Sequence, residues 1–299
     1  MINNPILSII TPTYNRAKYL IKCYESLKRQ TNQNFEWIIV DDGSEDLTKD
    51  TVNEFINLSP DMNIQYIYKK NGGKHTAMNT AHPFIHGNYV LILDSDDYLI
   101  PKAVELVLKN WDEFKKDNSI GTLIFLRGDV EGKARAYGEQ NKTPGDFRKL
   151  KRINVTSSDC CEVFRADLFI RYPYSVFSQE HFLSESELWN RLAEDNFKCV
   201  YINEVIYICE YLKDGLTDSG RKMRIKNPLG GMCTSEHMMH KEYPLKIRFK
   251  KGLLYVCYGF FASLSPGMIL KKDKGNVWIK ILCMIPGYYI YRNWTKKYQ

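Results

Sequence analysis

The sequence predicts an α/β fold, a mostly parallel sheet flanked by helices, and three observations predict it. Short apolar runs alternate with helical patterns through about the first hundred residues. Each run ends in a polar or glycine-rich loop, in order TPTYNR, DDGS, NGGK and DSDD. The fourth run, in the stretch NYVLILDSDDYL, passes directly into the carboxylates Asp94, Asp96 and Asp97. In open parallel sheets ligands lie beyond the carboxyl ends of the strands, so the four loops should share one edge.

Taken in order, Ile6 to Ile10 is a first strand. Leu20, Cys23, Tyr24 and Leu27 recur at i, i+3, i+4 and i+7, one face of a helix. Phe35 to Val40 is a second strand, followed by a helix from Leu47 to Leu58. Ile64 to Tyr68 is a third strand, with a helix around Ala77 to Ala81 after its glycines. Tyr89 to Leu93 is the fourth strand. A helix over residues 101–117 would bury Val104, Val107, Leu108, Trp111 and Phe114. Gly121 to Leu126 and Cys160 to Phe164 read as further strands, separated by a polar segment, Arg127 to Arg152, without periodicity. Such a segment is a binding loop or a surface insertion.

The loops suggest a chemistry. Burying unpaired carboxylates costs several kcal/mol each, so the DSDD acids must be hydrated or paired with a cation. A hard divalent ion, Mg²⁺ or Mn²⁺, suits them, filling its other positions with water and phosphate oxygens. The plainer reading makes Asp96 or Asp97 the cap of a helix starting near Pro101. All four loops together suit a nucleoside diphosphate. Lys74 would lie near its phosphates, Gly72 and Gly73 would allow close backbone approach, and Asp41 or Asp42 could accept from a base or ribose. Neither a GxxxxGK[ST] loop nor a GxGxxG fingerprint occurs, which argues against P-loop and NAD-type sites.

TPTYNR, VDDGS, NGGKHTAMNTA and LILDSDD, in this order, resemble the N-terminal half of a family 2 glycosyltransferase of the GT-A (Rossmann-like) fold. The resemblance implies a nucleotide-sugar donor, a UDP-sugar first, a divalent metal at the D-x-D element, and transfer with inversion. It places Thr11, Pro12, Tyr14, Asp41, Asp42, Lys74, Asp94 and Ser95 around the donor and Asp96 on the metal. Further on, the LWNRLA run resembles the family helix that follows a catalytic Glu-Asp pair. Ser184-Glu185 stands where that pair is usual, so Glu185 is the expected base, with Glu187 and Glu180 as competitors. A helix opening at Ser184 would also make Ser184 and Glu187 a capping box. The segment Tyr211 to Thr217 resembles the part that closes such domains over the donor.

Charge divides the chain. Residues 221–299 hold 16 Lys and Arg against 3 Asp and Glu, a net of +13; the preceding 220 residues carry −6. We therefore expect a catalytic domain over 1–220 and a basic, aromatic-rich helical extension over 221–299. Gly252 to Leu270 is nineteen residues without a charge, but its glycines, Pro266 and the basic clusters on both sides disfavour a span. Aromatic residues interleaved with Lys and Arg up to Trp294 suit a helix lying in the headgroup layer of an anionic membrane. The N-terminus shows no basic-then-apolar secretory pattern, and the eight scattered cysteines make no Cys-x-x-Cys pair. These features predict a cytoplasmic protein, peripheral on the inner face of the membrane. The expected acceptor is a glycan or lipid-linked glycan of the cell surface, and no nucleic-acid partner is expected. The rival readings are a nucleotidyltransferase, which lacks its glycine-rich first loop here, and a noncatalytic nucleotide-sugar-binding protein.

Overall fold

The computed structural model describes residues 6–150, 152–153, 160–209, 220–272 and 276–298. The chain divides into two compact units, Met1–Pro173 with Leu192–Tyr211, and Tyr174–Arg191 with Leu212–Gln299. The segment expected to close over the donor, residues 211–217, lies outside the described residues.

The first unit begins with β1 (Leu7–Thr13), α1 (Ala17–Lys28), β2 (Phe35–Asp41), α2 (Thr48–Leu58), β3 (Ile64–Tyr68), α3 (Lys74–Ala81) and β4 (Tyr89–Ile92). After these come β5 (Tyr98–Leu99), α4 (Ala103–Phe114), β6 (Ile120–Gly128), β7 (Tyr137–Gly138), β8 (Pro144–Gly145), β9 (Arg152–Ile153), β10 (Cys160–Arg165) and α5 (Ala166–Arg171). α6 (Ser186–Glu194) precedes the last strand, β11 (Lys198–Ile208). The main sheet runs β3-β2-β1-β4-β10-β6-β11-β5, with β8 on β11. β1 pairs in parallel with both β2 and β4, and β2 with β3, so the first four strands end at one edge, as expected. β10 is antiparallel to β4 and to β6, which turns the end of β6 to that same edge.

The local reasons are those the periodicity gave. α1 buries Leu20, Cys23, Tyr24 and Leu27. These pack with Trp37, Val52 and Phe55 in one core, where the Tyr24 and Phe55 rings stack at 4.2 Å. β1 runs three residues beyond the expected Ile10, so Thr11, Pro12 and Thr13 are strand, not loop. Proline is tolerated there because the last β1–β4 pair is Ile10 with Ile92, and Pro12 is paired with β2 alone. α4 is shorter than the expected 101–117, starting after Pro101 and Lys102.

In the second unit α7 (Gly220–Lys226), α8 (Pro228–His237), α9 (Leu245–Phe261), α10 (Pro266–Lys271) and α11 (Val277–Tyr298) share a core of Met232, Met239, Tyr255, Val256, Tyr258, Ile269, Ile279 and Cys283. Close helix contact requires glycine here. A Cβ at Gly252 would lie 2.6 Å from Ile279, and one at Gly287 2.7 Å from Val256. The uncharged stretch Gly252 to Leu270 is broken after Phe261 by Ser263 at φ 58° and by Ser265, whose hydroxyl accepts from the Met268 N–H to cap α10. No helix among the described residues is long and apolar enough to cross a membrane. α6 opens at Ser186 and not at Ser184, and the Ser184 hydroxyl lies 2.9 Å from that of Ser186, so no capping box with Glu187 forms.

Candidate active site

The four loops meet at the carboxyl edge of β1–β4. Asp42, just past β2, is buried and holds the glycine loop: its carboxylate accepts from the N–H groups of Gly72 at 2.9 Å and Gly73 at 2.7 Å, and from Lys69 at 2.5 Å. Asp41 accepts from the Tyr66 hydroxyl at 2.6 Å and the Ser44 N–H at 2.7 Å, closing its own turn. Gly43 and Gly73 have φ of +89° and +92°, which only glycine adopts readily. A Cβ on Gly72 would lie 2.7 Å from the Thr76 hydroxyl. The glycine loop therefore hugs its neighbours, and Lys74, first residue of α3, emerges from it to pair with Asp94.

Asp94, Ser95, Asp96 and Asp97 follow β4 as the sequence suggests. Around the acids stand cations from separate elements. Lys74 bonds Asp94, and Arg127 Nη1 lies 3.6 Å from Asp94 and 3.9 Å from Asp97. Arg16 Nη1 lies 3.4 Å from Asp96. Burial pushes the Asp94 carboxyl up, but Lys74 and Arg127 outweigh it and hold it below the usual range. Burial and the Asp94 charge together raise Asp96, against Arg16, and push Asp97 up to about 7. Burial is the larger cause of both shifts, and the neighbouring acids add to it. Asp96 keeps 25% of its side chain exposed, and the donors there are carboxylate oxygens. That set fits a hard divalent ion on Asp96.

Not every expected residue faces this edge. Thr11 is fully buried and turned inward, its hydroxyl accepting from Trp37 Nε1 at 2.8 Å. It is a core contact because β1 continues through it and alternation directs its side chain to the α1 face. Pro12 is buried in β1, while Tyr14, past the strand end, is 47% exposed. The hydroxyl of Thr13 is buried without a hydrogen-bond partner among the described residues, a polar group left at the end of β1. Arg127 was not anticipated. Its guanidinium stacks 4.2 Å from the Tyr207 ring centroid, and its Nε donates to the Cys160 carbonyl at 2.7 Å. The Tyr207 hydroxyl in turn accepts from the Asp94 N–H at 2.9 Å. An arginine ending the apolar run Ile120 to Leu126 was the available signal.

The three candidate bases fall in the second unit and differ sharply. Glu180 is buried and caps α8, accepting from the N–H groups of Leu229 at 2.7 Å and Gly230 at 2.8 Å. Glu187 is buried and accepts from Ser175 at 3.0 Å and Arg191 at 3.2 Å. Glu185 is half-buried, in the turn that leads into α6. His181 is exposed.

An acid-ended parallel sheet edge with an ordered glycine loop fits a GT-A-type glycosyltransferase fold, and comparison with known proteins shows it. The chain belongs to glycosyl transferase family 2, whose model matches residues 8–172. It is 36% identical over 161 residues to a chondroitin synthase of Escherichia coli, a stretch covering 54% of this chain and 22% of that protein. It is 43% identical over 126 residues to a hyaluronan synthase of Pasteurella multocida, covering 42% and 12%. The chain thus spans only a minor part of the curated relatives it matches. Among solved structures, S. aureus TarS in complex with UDP superposes with a TM-score of 0.64 at 15% identity, covering 98% of this chain and 92% of that one. The mannosyltransferase PcManGT from Pyrobaculum calidifontis, in complex with GDP-Man and Mn²⁺, gives 0.59 at 17%, covering 98% and 84%.

Proposed function

We propose that this glycosyltransferase moves a hexosyl or N-acetylhexosaminyl group, with inversion, from a UDP-sugar to a hydroxyl of a cell-surface glycan or its lipid-linked precursor. The observation that carries the reading is the edge itself: Asp94, Asp96 and Asp97 beyond β4, matched by Arg16, Lys74 and Arg127. Relatives named as polysaccharide synthases, and a neighbour solved with UDP-GlcNAc, support the donor and product class.

Pro12 and Tyr14 would line the nucleoside pocket, Asp42 with Asp41 beside it would read the base, Asp94 would hold the ribose side, and Ser95 would contact the donor. Asp96 would hold the metal, Mn²⁺ or Mg²⁺, which supplies a counter-charge for the diphosphate. Lys74, at the N-terminus of α3, adds a positive charge for the departing diphosphate. Glu185 takes the proton of the acceptor hydroxyl as its oxygen bonds to the anomeric carbon and the bond to the diphosphate breaks. Glu185 is preferred because it stands just ahead of the LWNRLA helix, where the family carries its acidic pair.

The test is calorimetric titration with UDP, GDP and dTDP, with Mn²⁺ and after EDTA, on the intact chain and on Asp96→Ala. Metal-dependent binding of one nucleotide, lost in the variant, is expected. Folded protein that binds none would overturn the donor site; binding without transfer or hydrolysis in any acceptor mixture would favour the noncatalytic reading.

A second observation favours peripheral attachment to the inner face of the cell membrane. Along α11, Trp278, Ile281, Leu282, Ile285, Tyr288 and Tyr289 are exposed, while Ile279, Cys283 and Gly287 are buried. One face of the helix packs and the other offers an apolar, aromatic stripe in a segment of net charge +13. That combination suits an anionic headgroup layer.

A further inference from the structure

We infer that the second unit carries a metal site of its own, formed by Glu187, Cys233 and His237 and suited to zinc or a zinc-like divalent ion. One carboxylate oxygen of Glu187, the Cys233 Sγ and one ring nitrogen of His237 all lie within 4.8 Å of one another. Cys233 and His237 are four residues apart on α8, so they share a helix face, and Glu187 is contributed by α6.

A second observation points into the cluster. Glu187 is 1% exposed, and its Oε2 is buried without a hydrogen-bond partner among the described residues. A buried carboxylate oxygen with no partner is costly, and native folds seldom leave one. Its other oxygen, Oε1, accepts from the Ser175 hydroxyl and from Arg191. Those two contacts orient the carboxylate as an outer shell orients a metal ligand. The Arg191 ion pair, at 3.2 Å, also falls on Oε1. His237 ends α8, where the helix dipole favours positive charge.

The donor set selects the ion. Thiolate, imidazole and one carboxylate form a borderline-soft set that prefers zinc or cobalt to magnesium or manganese. In a tetrahedral zinc site with bonds of about 2.0–2.3 Å, ligand atoms stand roughly 3.3–3.8 Å apart, so side-chain rotations of about an ångström close the site. Three protein ligands leave the fourth position to water. The ion would fasten α6 to α8 two residues beyond Glu185, which makes Glu187 a positioning residue for the start of α6. The assignment uses none of the donor-site residues and stands whether or not Glu185 is the base.

The experiment uses the full-length chain, stripped of metal and titrated with Co²⁺, read by the thiolate-to-cobalt charge-transfer absorption. One equivalent per chain is expected to give the band in the wild-type protein and in Asp96→Ala, and zinc is expected to abolish it by displacement. Cys233→Ser and His237→Ala are expected to lose the band or to weaken cobalt binding 10–100-fold or more, with near-wild-type thermal unfolding after stripping confirming that both fold. No band in the wild-type chain, or a band that persists in folded Cys233→Ser, would overturn the site. Loss of nucleotide binding in Asp96→Ala while the band remains separates this site from the donor site.

Discussion

The exposed stripe of α11 permits a quantitative prediction. Ile281, Leu282 and Ile285 expose 57%, 59% and 84% of their surfaces, so most of their combined apolar area is open. Full burial of such a side chain is worth about 2 kcal/mol, and weighting by these exposures gives about 4 kcal/mol for the three together. A helix lying flat in the headgroup layer buries about half of that area, leaving about 2 kcal/mol, or roughly 30-fold in partition coefficient. The triple substitution Ile281→Ser, Leu282→Ser and Ile285→Ser should therefore weaken binding to vesicles containing phosphatidylglycerol by about 30-fold. The buried remainder of the three, about 2 kcal/mol by the same weighting, is the expected loss of thermal stability, small enough to leave the chain folded. Co-sedimentation with loaded vesicles at low and high salt measures both contributions. Raised salt should weaken what remains, since the basic residues act through a screened potential. Equal partition of the folded triple variant and the wild-type chain would refute the reasoning, and would return α11 to the role of a surface helix.

Other residues give further tests. Asp96→Asn should abolish metal-dependent nucleotide binding by calorimetry while leaving the fold intact. Gly72→Ala places a Cβ 2.7 Å from the Thr76 hydroxyl and should cost about 1–3 kcal/mol in chemical denaturation while displacing Lys74. Arg127→Met removes a buried counter-charge from Asp94 and Asp97 and should cost about 3–5 kcal/mol by the same assay. Burial, with Arg224 and Lys250 nearby, pushes the Lys251 ammonium down to about 8, so below that pH folding must bury a charge that the unfolded chain hydrates. Wild-type stability should gain on that of Lys251→Met as pH rises from about 8 to about 10.4, and at pH 7 the variant should be the more stable by about 2 kcal/mol.

The first four strands and their helices were legible because each is a short apolar run with its own turn chemistry, and parallel pairing then required only that the loops share an edge. What escaped was long-range. β10 enters antiparallel between β4 and β6, and nothing in Cys160–Arg165 fixes its neighbours. Arg127 and Tyr207 reach the acids only through that ordering; an arginine at the end of an apolar run marks the position but not its partners. The side chain of Thr11 was hidden for the opposite reason. A motif read as a loop proved to be strand, and strand alternation turned its hydroxyl into the core. Among the acids near α6, sequence could rank Glu180, Glu185 and Glu187 only by resemblance. The backbone N–H groups at the start of α8 then accounted for Glu180 by a contact between residues some fifty positions apart.

The charge pattern of the edge carries an argument about how the donor and its metal would bind. Asp94, Asp96 and Asp97 face Arg16, Lys74 and Arg127, one nominal charge against another. Burial nonetheless raises Asp96 and Asp97 toward their neutral forms, and the neighbouring acids add to it. A nucleoside diphosphate arriving alone would add negative charge to this edge, which the carboxylates oppose. Arriving with a divalent ion it adds almost none, and the ion adds to the cations that face the acids. On the proposed reading, donor and metal affinity are therefore coupled, each raising the other by the same factor. The acidic run after β4 is tolerable in the folded chain because cations from three separate elements support it, and on the proposed reading an incoming metal would join them there.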